Sequence, residues 1–173
     1  MNLRIARQIN QMAEADRKMR SGHKKGVILD ASLDKRHAEA LKAVIKQYGW
    51  PTISLVGRKA SRNAWLIAQH ADHDQKFQEM ALCLLRKIDR ESHDIDRANI
   101  AYLADRLAVK KKQKQQFGTQ FDFDKNGNLV LHPLTKSKDI NQIRKDYNLP
   151  SLDKFLKMAD EFNAKLKKKR SSQ

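Results

Sequence analysis

The chain has little of several things: one cysteine, three prolines, six glycines and 6% aromatic residues in 173. A single thiol, Cys83, cannot close an internal disulfide, which excludes the stapled class of small secreted scaffold. Its neighbours in EMALCLLRKI are apolar, so a buried structural thiol is expected there, not a nucleophile. No apolar run approaches the roughly 20 residues that span a bilayer. The opening MNLRIARQINQMAEADRKMR is charged throughout and lacks the apolar core of a signal peptide. A soluble protein of a reducing, cytoplasmic compartment is the expectation. Helix-turn-helix and zinc-finger spacings and internal repeats are also missing.

Positive charge, by contrast, is abundant. There are 36 Lys+Arg against 20 Asp+Glu, a formal +16. Residues 1–30 and 31–60 each carry +4, residues 61–108 sum to −1, and residues 109–173 carry +9. The excess gathers in Lys110, Lys111, Lys112 and Lys114, and again in Lys165, Lys167, Lys168, Lys169 and Arg170. Such a balance suits an acidic partner without naming one.

With 40% apolar residues the chain can bury one modest core. Leu3, Ile5, Ile9, Met12 and Met19 make a helical stripe, followed by a polar, glycine-containing link from Ser21 to Gly26. Ser32 is placed to cap a helix with Leu33, His37, Leu41, Val44 and Ile45 on one face and Gly49 as its stop. Leu55, Ala60, Ala64, Ala68 and Ala71 predict a helix over 55–71 with a small side that a neighbour can approach. Asp72 or Asp74 would cap the next, built on Phe77, Ala81, Leu84 and Leu85, and a third would begin near Asp94 or Asp96 and run to about Lys111. Phe117, Thr119, Phe121 and Phe123 alternate with polar residues, and Asn126-Gly127 favours a hairpin turn before Leu129, Val130 and Leu131. Two further helices, 139–147 and 151–168, complete a mainly α fold. We expect a compact single-domain helical bundle over 1–164 with one β-hairpin near 116–132, then a frayed basic tail over 165–173.

Gln69, His70, Asp72, His73 and Asp74 form the densest cluster of titratable side chains. An imidazole moves protons near neutral pH, and a carboxylate beside it orients the ring. Asp72 or Asp105 would supply that carboxylate. The structural alternative has Asp72 or Asp74 capping a helix and His70 bonded to a backbone carbonyl. The spacing matches no strong zinc signature, so no metal is expected. Tyr102, Asp105 and Arg106 share a helix flank, where arginine can grip a carboxylate or phosphate or pair internally. Gly118, Thr119 and Gln120 offer close backbone approach and neutral hydrogen bonds.

These segments also carry a resemblance. GWPT at 49–52, LVG at 55–57, AWLIAQHADHDQKFQ at 64–78, AYLADR at 101–106 and FGTQF at 117–121 resemble a bacterial family of domains of unknown function. That family is built around a W-P-T, V-G, Q-H-A-D, L-x-D-R and Y-G-T-Q succession, and MAEADRKMR at 12–20 is similar to its opening segment. Phe117 stands where the family tends to have tyrosine. The resemblance implies one constellation of Trp50, Gly57, Trp65, Gln69, His70, Asp72, Asp105, Arg106, Gly118, Thr119 and Gln120, without an activity or a cofactor.

Two functions compete. In the first, His70, Asp72 and Asp105 carry acid–base chemistry of a hydrolase or transferase kind, and Gln69, Arg106, Gly118, Thr119 and Gln120 bind a small anionic ligand. In the second, Lys110–Lys112, Lys114 and Lys167–Arg170 contact nucleic-acid phosphates, without interleaved aromatics for base stacking. A tether of the tail to an anionic membrane or acidic protein is a weaker third. The first reading is preferred.

Overall fold

The computed structural model describes residues 1–23 and 30–171, leaving aside the side chains of 23 and 169–171. It is mainly α, with eight helices and one two-stranded antiparallel hairpin among the described residues. The chain groups into two compact units, Met1–Asn99 and Ile100–Gln173.

In the first unit α1 (Leu3–His23), α2 (Ala31–Tyr48), α3 (Ile53–Val56), α4 (Arg58–His70) and α5 (Gln75–Glu91) follow in order. Packing centres on α4, which touches each of the others. Its Ala60, Ala64 and Ala68 are buried, so neighbouring backbones come close, as the small-residue stripe predicts. Ile5, Ile9 and Ala13 of α1, Leu41 of α2, and Phe77 and Leu85 of α5 fill the remaining core. A polar relay also crosses from α1 to α4: Asn63 Nδ2 donates to Asn10 Oδ1 at 2.7 Å, and Arg17 Nη1 donates to Asn63 Oδ1 at 3.2 Å.

Several expectations need correction. The helix predicted over 55–71 is two, because Gly57 at φ 81° breaks it; a new helix starts at Arg58 with the opposite end of α3 just behind. Asp30, not Ser32, caps α2: its carboxylate accepts the Ser32 N–H at 2.9 Å. Of the two caps expected for α5 it is Asp74 that serves, as predicted, through the Phe77 N–H at 2.9 Å, and it also pairs with Lys42 at 2.6 Å. Cys83 is exposed, because it lies on the outer side of the face that buries Phe77, Ala81 and Leu85. Ser21 belongs to α1, and the rest of the predicted link to Gly26 falls mostly outside the described residues.

In the second unit α6 (Ala98–Lys110) leads through a loop to β1 (Phe121–Phe123) and β2 (Leu129–Leu131), then α7 (Ile140–Asp146) and α8 (Leu152–Ser171). The hairpin pairs Phe121 with Leu131 and Phe123 with Leu129. Its turn closes through Gly127 N–H to Asp124 C=O at 2.8 Å with Gly127 at φ 70°, a glycine bulge in place of a two-residue turn. A hairpin this short is marginal alone. Here α8 backs it: the Asn163 amide accepts the Leu129 N–H at 2.6 Å and donates to its C=O at 3.0 Å, and the Phe121 and Phe155 rings lie 5.4 Å apart.

Candidate functional site

His70 ends α4, where the ring leaves the alanine-lined core and meets α1. The carboxylate that meets it is Asp16, whose Oδ1 lies 3.0 Å from Nδ1. Neither Asp72 nor a backbone carbonyl takes that place. Asp16 is only 2% exposed, and its Oδ2 has no hydrogen-bond partner among the described residues. Arg20, one turn along α1, places Nε 2.9 Å from Asp16 Oδ1 and 3.0 Å from His70 Nδ1, while its Nη2 spans both Asp34 oxygens at 2.9 and 3.1 Å. Burial alone would raise the Asp16 pKa, yet the hydrogen bond and charge of His70, with Arg20, bring it below the ordinary carboxylate value.

Nδ1 therefore stands within hydrogen-bond reach of two groups: as Nδ1–H it donates to Asp16 Oδ1, and with the proton on Nε2 it accepts the Arg20 Nε–H. In the Nδ1–H form Nε2 keeps its lone pair, and it makes no hydrogen bond among the described residues. The ring borders a cavity of about 290 Å³ with Asp16, Arg17, Arg20, Ser21 and Leu66. A second imidazole, His37 on α2, has its pKa pushed down by burial, with Asp16 and Asp34 opposing. No group of three potential metal ligands occurs among the described residues.

The remaining nominated residues divide between the units. In the first, Gln69 is buried with Oε1 lacking a partner among the described residues, and its C=O accepts from Gln78 Nε2 at 3.1 Å. Asp72 is exposed and accepts from the same amide at 3.3 Å. In the second unit Asp105 is fully buried on α6 and takes the N–H groups of Gln116, Phe117 and Thr119 at 2.7, 3.0 and 2.9 Å, with the Thr119 hydroxyl at 2.9 Å. Gln120 Nε2 reaches Thr119 Oγ1 at 3.0 Å. Arg106 is half-buried on the same helix.

Sequence reasoning passed over Arg144 as well as Asp16. Arg144, fully buried on α7, donates to the carbonyls of Phe117 and Gly118 and lies 4.9 Å from the Phe155 ring. The segment is thus held with the Phe117 and Thr119 N–H groups on Asp105 and the Phe117 and Gly118 carbonyls on Arg144. Gly118, at φ 72°, has Leu152 Cδ1 3.0 Å from where a Cβ would stand, so the segment has no room for a side chain there.

The alternative basic segments lie elsewhere. Lys111, Lys112 and Lys114 are exposed beyond α6, Lys110 is half-buried at its end, and Lys167 and Lys168 are exposed on α8. The Lys169 and Arg170 side chains fall outside the description. No described helix is long and apolar enough to cross a membrane.

A family model described as a family of unknown function, DUF6624, matches residues 5–169. Comparison with curated proteins and with solved structures finds no match.

Proposed function

The chain belongs to DUF6624, a family of unknown function, through that match over nearly its whole length, and from the geometry of its first unit we propose that it is an enzyme transferring protons on a small anionic substrate. One observation carries the reading: a carboxylate almost wholly removed from water meets His70 at Nδ1, on a ring that borders a cavity, and in the Nδ1–H form this contact leaves Nε2 as the basic nitrogen. A buried carboxylate is costly unless something uses or compensates it, and here its compensators are an imidazole and a guanidinium.

In this reading Nε2 takes a proton from water or a substrate hydroxyl, and Asp16 stabilises the imidazolium that forms. Arg17, fixed by Asn63 and lining the same cavity, faces the negative charge of the substrate. Hydrolysis or group transfer is the reaction class these parts serve.

The test is turnover of 4-nitrophenyl phosphate, bis(4-nitrophenyl) phosphate and 4-nitrophenyl hemisuccinate by the full chain. At least one is expected to turn over, His70→Gln to reduce it to background, and Asp16→Asn to lower kcat by about 10²-fold or more. Both variants should unfold cooperatively. Wild-type turnover in a folded His70→Gln protein would remove His70 from the chemistry.

A further inference from the structure

A second cavity, of about 750 Å³, opens in the same unit at the start of α4. It shares Arg17 and Leu66 with the cavity at His70, so the two adjoin along one helix seam. Arg58, Lys59 and Arg62 line it, and their side chains make no ion pair or hydrogen bond among the described residues. The one carboxylate in the lining, Asp96, already accepts the Ala98 N–H at 3.1 Å. Ser61, 2% exposed, also lines it, and its hydroxyl has no partner among the described residues. The first turn of α4 holds no acidic residue and Gly57 supplies no side-chain cap, so the helix end adds to the positive potential.

An unpartnered hydroxyl on a residue this buried, opening into a cavity lined by the exposed cations Arg58, Lys59 and Arg62, is suited to an oxyanion. Trp65 and Leu66 continue the wall in apolar material. Ser61 and His70 are nine residues apart on α4, about 13 Å along the axis. A lone inorganic anion spans a small part of that distance, whereas the cavity volume lies within the range of small-molecule sites.

We infer that this cavity is the anchoring subsite for a phosphate monoester of mononucleotide size, gripped at its phosphate by Arg58, Ser61 and Arg62, with its body lying along Trp65 and Leu66. The phosphate is then a handle, not the reacting group. The placement of the reacting end at His70 rests on the acid–base reading above; the anion subsite itself does not.

The experiment is calorimetric titration of the full chain with inorganic phosphate, adenosine 5′-monophosphate and adenosine at one fixed salt concentration. The monophosphate should bind at least tenfold tighter than inorganic phosphate, and adenosine should show no saturable binding. Arg58→Gln/Arg62→Gln should weaken the monophosphate at least tenfold. Lys154→Gln/Lys157→Gln, which removes the same charge from exposed positions on α8, should leave it unchanged. Equal affinity for inorganic phosphate and the monophosphate, or undiminished binding in the folded Arg58/Arg62 variant, overturns the subsite. The titration reads binding without turnover, so absent turnover with intact monophosphate binding overturns the acid–base reading alone, and absent binding overturns the subsite alone.

Discussion

Asp16 shows how one residue can be both charged and inside. On α1 it continues the apolar stripe of Ile5, Ile9 and Met12, and a carboxylate at that position is desolvated unless a partner waits there. Because its folded pKa is lowered from the ordinary 3.8, the group stabilises the fold fully above that value, and the contribution is lost as pH falls through the lower folded value. We therefore expect the melting temperature of the wild type to fall more steeply on acidification below about pH 4 than that of Asp16→Asn, which should itself cost about 3 kcal/mol at neutral pH. Calorimetry across that range checks it; parallel profiles would contradict the shift. His70 was legible in the sequence from the local density of titratable groups. Its orienting carboxylate was not, since 54 residues separate the two and Asp16 with Arg20 at i,i+4 reads as a surface ion pair. The available signal was an acidic residue on the buried stripe.

At the scale of elements, periodicity identified the long helices, since each buries one side of a 3.6-residue repeat. It could not show the break at Gly57, because the apolar register runs on through it and only the backbone angle changes. The loop after α6 was harder still. Phe117, Gly118 and Thr119 look like a strand, yet their peptide groups are divided between Asp105 and Arg144 instead of a sheet partner. Burial pushes the Arg144 pKa down, with Tyr102 and Asp105 opposing, so the two buried charges support one another through the loop. A double-mutant cycle on Asp105→Asn and Arg144→Met in urea should give a coupling energy of about 1–3 kcal/mol. Additive losses would mean that each charge holds the loop independently.

For the molecule as a whole, a net charge of +16 describes two different populations of cation. Those of the proposed cleft come from residues 17–62, where the blocks carry only modest excess. The denser run at the end of the chain lies on the last turns of α8, past Asn163, the residue that clamps the hairpin. Truncation after Asn163 should lower the salt concentration needed to elute the chain from a phosphocellulose column, while unfolding free energy changes by about 0.5 kcal/mol or less. A large loss of stability would show that the terminal turns hold the second unit together, and unchanged elution would show that they do not govern its contact with polyanions.

Composition and periodicity determined on their own that this is a mainly helical chain with one hairpin and no bilayer-length apolar run, because those properties depend on neighbours within a few residues. The family too was legible, through short motifs recurring in order. The partner of His70, the buried Arg144 and the unpaired cations around Ser61 were decided only by tertiary structure. Each depends on which side chains share a water-poor space, and burial sets the energy of a charge by the groups that surround it in three dimensions, wherever they lie along the chain.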